Sequence, residues 1–153
     1  MSVAATALQP LESVADDLVA SCRTVARQGY RLLVLLREFD IRRGYREARG
    51  KGRCAADSAE WLAARCGMGR DVVRDKLRVA YALLNLPETE SAFEAGELTF
   101  TKVRALTEVA TLDNEAVLID FARAMTDAQV VDYCRRLLVR PAHVGCERRR
   151  DRS

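Results

Sequence analysis

Apolar side chains return at every seventh residue over the first third of the chain. Leu11, Leu18, Val25, Leu32 and Phe39 mark the period, Val14 and Leu35 fill d-like positions, and Cys22 and Leu36 widen the stripe. This spacing predicts one long amphipathic helix over about 11–41, with Gly29 inside it at a cost of about 1 kcal/mol against Ala. A stripe of that length must be covered by the rest of the domain, by a second copy, or by both.

The pattern dissolves over 42–53, where three glycines and six basic residues leave nothing to bury. A flexible basic loop is expected there. Order returns at Asp57, an N-cap with Glu60 three residues later. Trp61, Leu62 and Ala64 start a short helix ending at Cys66, with Gly67 as the residue that closes it. A second helix from Arg70 or Asp71 carries Val72, Val73, Leu77, Ala80, Tyr81 and Leu84, and Pro87 bars its continuation. An acidic helix over 88–95 ends at Gly96. Three more follow: one capped by Thr99 or Thr101, one by Asp113, and one by a Thr126/Gln129 capping box that ends before Pro141. Residues 8–140 therefore read as one all-α domain, a long N-terminal helix packed on a bundle of shorter ones, and 141–153 as a disordered basic tail.

Composition agrees with an all-α fold. Aromatic content is 6%, there are three prolines and eight glycines, and helix-forming Leu, Ala, Arg and Glu dominate. No apolar run reaches spanning length and the first ten residues carry no basic side chain, so neither a membrane segment nor a signal peptide is expected and the chain is read as cytoplasmic. Five scattered cysteines without a Cys-x-x-Cys pair argue against a disulfide framework. Cys22, Cys66 and Cys134 are expected as small buried hydrophobes.

The net charge of +3 conceals segregation. Residues 23–53 hold ten basic and three acidic side chains, residues 87–134 hold three and ten, and residues 135–153 hold seven and two. A basic surface for an anionic partner would follow, or docking of one half of the domain on the other.

The strongest local signal lies over 58–80, where Ala63, Gly67 and the apolar Leu62, Cys66, Met68 and Val73 have helix-turn-helix spacing. One slot departs from it: Lys76 stands where a core residue belongs, and Leu77 comes one position late. Arg70, Arg74 and Arg78 form a basic stripe on the second helix, with Lys76 to its side. In a DNA-binding reading that helix enters the major groove while Arg42, Arg43 and Arg46 add phosphate contacts. The alternative is a solvated helix face on which Arg74 pairs with Asp71. Lys102 and Arg104 open a later helix after the Gly96 turn, which would allow a second helix-turn-helix-like unit, but its acidic surroundings favour a mixed-charge surface helix. Catalytic constellations are few. His143, the single histidine, and Cys146 lie in the tail without partners to complete a metal site, and no phosphate-cradling or dinucleotide glycine motif occurs. No catalytic residue, metal, cofactor or small-molecule substrate is expected.

Trp61-Leu62, Gly67-Met68, Arg78-Val79-Ala80, Leu86-Pro87, Phe93-x-x-Gly96-Glu97-Leu98 and Lys102-Val103-Arg104-Ala105-Leu106-Thr107 carry a resemblance. Leu36-Arg37-Glu38-Phe39-Asp40 before them and Val109-Ala110-Thr111 after them extend it. Over about residues 10–140 the chain resembles the actinobacterial 13E12 repeat family, whose shared N-terminal region is the domain of unknown function 222. The resemblance implies an all-helical domain that ordinarily precedes an HNH endonuclease module, in proteins associated with mobile or repeated elements. Beyond Pro141 nothing resembles an HNH motif. The expectation is an accessory DNA-binding half without its nuclease, either a stand-alone domain or a truncated copy. The rival expectation is an interaction module, in which the heptad stripe pairs with a second copy or a nuclease partner.

Overall fold

The computed structural model describes residues 3–47 and 55–139. They form helices α1 (Val3–Ala7), α2 (Leu11–Ile41), α3 (Gly44–Glu47), α4 (Ser58–Cys66), α5 (Arg70–Ala82), α6 (Pro87–Glu94), α7 (Phe100–Leu106), α8 (Glu115–Ala124) and α9 (Asp127–Val139), with a 3-10 turn at Leu83–Asn85. No strand occurs among the described residues, and the fold is all-α with α2 laid along the shorter helices. The expected tail over 141–153 lies outside them, as does 48–53 of the expected basic loop; the part of that loop that is described contains α3.

Local chemistry places most boundaries. Asp57 caps α4 by accepting from the Glu60 amide at 2.8 Å, and Glu60 in turn accepts from the Ala56 amide. Gly67 closes α4 in the left-handed region at φ 65°, a conformation open to glycine at no steric cost. Thr99, rather than Thr101, caps α7 through the Lys102 amide. Thr126 and Gln129 exchange the two bonds of a capping box at the start of α9. Pro87 stands in the first turn of α6, where its missing N–H is not needed. The expected cap at Asp113 is displaced by one residue: Asn114 precedes α8, and its side chain accepts from the Thr111 amide to form the turn that leads into the helix.

The main core joins α2, α5, α6, α7, α8 and α9 around Phe93, Leu33, Leu83, Leu98, Val103, Leu106 and Val130, all fully buried. Burial of Phe93 alone removes enough apolar surface for about 1.5–3 kcal/mol. Gly29 faces this ring: a Cβ there would stand 3.4 Å from the edge of Phe93, so the helix and the aromatic approach closely. A smaller cluster of Leu36, Ala59 and Val73, with Leu62, Met68 and Leu77 packed against it, fixes α4 and α5 on the far end of α2.

The long helix meets the body on a different face from the expected one. Ala26, Leu33 and Leu36 are buried, whereas Val25 is 72% and Leu35 58% exposed. Leu32 and Phe39 are half-buried, so the heptad stripe runs along the edge of the contact rather than through its centre. The physical reason is that body-facing positions include Gly29, Tyr30, Arg37 and Asp40, which pack or hydrogen-bond without contributing to an apolar repeat. The cysteine expectation also divides. Cys134 is buried and burial pushes its thiol pKa up, but Cys22 and Cys66 are exposed.

Candidate nucleic-acid interface

The helix-turn-helix spacing is realised as two helices and a three-residue turn. α4 ends at Cys66, Gly67-Met68-Gly69 reverses the chain, and α5 begins at Arg70. Val73, Leu77 and Met68 turn toward Leu36 and Ala59, which orients α5. Leu77 thereby occupies the core slot that Lys76 could not fill, while the expected filler Cys66 stays in solvent.

Asp40, near the end of α2, holds both helices of this unit. One of its oxygens accepts from the Ser58 hydroxyl at 2.7 Å and the other from the Tyr81 hydroxyl at 2.6 Å. Ser58 is fully buried. The hydrogen bond to Asp40, with burial second, pushes the Tyr81 pKa up to about 12. Arg37, one turn earlier, donates to the Ala80 carbonyl at 2.8 Å and pairs with Glu90 at 3.4 Å, tying α2 to α5 and α6.

The outer face of α5 carries Arg70, Arg74 and Arg78, all exposed. Each has an acidic partner. Arg70 approaches Glu60 of α4 at 3.5 Å and Arg74 approaches Asp71 at 3.5 Å, with Asp71 itself in open solvent. Arg78 is held more firmly, by Asp75 at 3.2 Å, Thr107 at 3.4 Å and Glu108 at 3.7 Å. Asp75 also pairs with Arg104 of α7. Four arginines thus meet four carboxylates along this edge, and its charge nearly cancels.

Lys76 has left the stripe altogether. Its ammonium lies 3.7 Å from the centre of the Phe100 ring, a cation–π contact, and burial lowers its pKa while Asp75 opposes that shift. Lys102, at the start of α7, donates to the Ala122 carbonyl near the end of α8. Both lysines act as internal fasteners.

Arg42, Arg43 and Arg46 sit at the junction of α2 and α3. Arg42 pairs with Glu38, Arg43 adopts a positive φ of 54°, and the guanidinium of Arg46 lies 5.9 Å above the Tyr45 ring. α3 packs on α2 and α4. The structure therefore brings these three residues beside α4, and Glu60 links α4 to Arg70 while accepting from the Ala56 amide. The sequence points to Arg104 only as part of a mixed-charge surface helix and assigns no role to Glu108 or Asp40. The Arg78–Asp75 pair is visible as an i, i+3 spacing, but partners contributed by α7 and α2 leave no local signal.

Among the described residues no three His, Cys, Asp or Glu side chains come together to hold a metal ion, and no helix is long and apolar enough to cross a membrane. No protein-family model, curated protein or solved structure matches the chain.

Proposed function

We propose that this chain is a DNA-binding accessory domain whose α4–turn–α5 unit is set against duplex DNA, with Arg70 and Arg74 as its leading contacts. The observation that carries the reading is the outward α5 edge: a helix locked by Val73 and Leu77 presents two exposed guanidinium groups from its first turns. The first turns of such a helix are the part that enters a major groove.

The ion pairs on this edge do not oppose the reading. Exposed pairs contribute about 0–1 kcal/mol, and the Arg70–Glu60 and Arg74–Asp71 contacts are long. A phosphate offers the same fork geometry with more charge. Arg78, bound by three neighbours, and Lys76, packed on Phe100, orient α5 instead of contacting the duplex. Arg42, Arg43 and Arg46 supply sequence-independent phosphate contacts from the α4 side.

Titration of a labelled duplex tests this directly. Wild type binds at low salt, and Arg70→Glu/Arg74→Glu weakens binding by roughly tenfold or more, since each charge reversal removes one phosphate contact and adds repulsion. Absence of binding at low salt, or an unchanged double variant, would overturn the assignment.

A further inference from the structure

Of the four carboxylates along the outer edge of α5, three join one element to another. Glu60 accepts from the Ala56 amide at 2.7 Å and meets Arg70 from α4. Asp75 is shared between Arg78 of its own helix and Arg104 of α7, and Glu108 reaches Arg78 from beyond the end of α7. Asp71 joins nothing. Its side chain is 99% exposed, and its one ion contact among the described residues is the 3.5 Å approach of Arg74 in the same helix. It does not cap α5 either, since the N-cap position is Gly69.

Asp71 also stands near the middle of the outward face. Val73, Val79 and Ala80 are fully buried and define the inner side of α5. At about 100° per residue, Asp71 and Arg74 both point within about 40° of the opposite direction. The turn in front of them is slim. Gly67 and Gly69 occupy two of its three positions, Met68 packs inward, and a Cβ at Gly67 would meet nothing within 4 Å. An aspartate is short and reaches a base edge only where the backbone comes close, and this turn permits that approach.

A carboxylate on a face that meets DNA is repelled by phosphates and gives up water on entering the groove. Only a donor on a base offsets that cost. The major groove offers two: adenine N6, which lies beside the acceptor N7, and cytosine N4, which has no acceptor of its own base beside it. Asp71 carries acceptors alone and fits the second. We infer that Asp71 is a specificity-determining residue that accepts from the N4 amino group of a cytosine, while Arg70 and Arg74 hold flanking phosphates. Such a role rests on the duplex-binding reading and adds a base preference to it. The contact with Arg74 opens as that guanidinium turns to its phosphate, and at 3.5 Å in solvent little is lost.

Selection of bound sites from duplexes with a randomised core, followed by competition, tests the cytosine contact in the full chain. Wild type enriches sites with a required C·G pair, and replacing that pair weakens binding by roughly tenfold. Asp71→Ala loses the preference at that pair alone, and binds an unrelated duplex at least as tightly as wild type because a repelled charge is gone. Asp71→Asn, which sets a donor beside its acceptor, shifts the preference there to A·T. Retention of the cytosine preference by Asp71→Ala overturns the assignment, as does a wild type that binds duplexes with no required C·G pair. In both cases duplex binding itself stands. An equal loss by Asp71→Ala on every duplex marks a structural role and also overturns it. A wild type that binds no duplex at low salt overturns the duplex-binding reading and the cytosine contact together.

Discussion

Asp40 and Glu115 are single carboxylates that join helices distant in sequence, and each sets up a measurable consequence. Asp40 accepts from Ser58 and Tyr81, and the Tyr81 bond exists only while the phenol keeps its proton. The folded pKa of about 12 exceeds the ordinary value of 10.0, so this bond stabilises the fold fully below pH 10 and its contribution is lost as pH rises through 12. In an absorbance titration of the tyrosinate band, Tyr81→Phe is expected to remove a late-ionising component and Asp40→Asn to bring Tyr81 back toward the ordinary range. Tyr30, raised by burial first and Glu90 second, remains a second late component in both variants. All tyrosines ionising together near pH 10 would refute this. Glu115, 2% exposed, accepts from both the amide and the hydroxyl of Thr89 at 3.0 Å, in the first turn of α6. Glu115→Ala leaves those two donors buried and unpaired, at a cost of about 2–3 kcal/mol in urea unfolding, and Glu115→Gln, which retains an acceptor, costs less. Neither carboxylate was recognisable in the sequence, because its partners lie 18, 41 and 26 residues away.

Helices and their ends were largely legible. The caps at Asp57, Thr99 and Thr126 and the Gly67 stop are local signals, each satisfied within four residues, while Pro87, expected as the bar to α5, also stands in the first turn of α6. Periodicity also located α2, but it misjudged the side that packs, since a repeat of apolar positions cannot register Gly29 against Phe93 or Asp40 against Ser58. Gly96 shows how such close approach is built. At φ 77° it closes the turn after α6, and a Cβ there would stand 2.8 Å from the Arg23 carbonyl oxygen of α2. Gly96→Ala is therefore expected to cost about 1–3 kcal/mol, combining left-handed strain with displacement of α2 backbone. An unchanged unfolding midpoint would show that α2 moves freely away from the turn.

The molecule as a whole pairs its charges unevenly. Segregation along the sequence suggests a basic half and an acidic half, and among the described residues the Arg37–Glu90 pair joins the two. Of the sequence-identified stripe, the two arginines nearest the start of α5 retain only long, exposed contacts, while Arg78 and Lys76 are committed to α7 and to Phe100. That division was illegible beforehand because it depends on how α7 lies beside α5. It also makes the DNA-binding account specific, since two residues of one stripe are assigned to the duplex and two are not. The most direct measurement is the dependence of duplex affinity on salt concentration for wild type, Arg70→Ala/Arg74→Ala and Arg78→Ala. Each phosphate contact contributes about −0.9 to the slope of log affinity against log salt. The account predicts that the double variant is shallower by about 1.8 and that Arg78→Ala keeps the wild-type slope. An unchanged slope in the double variant, or an equal loss from Arg78→Ala, would contradict it.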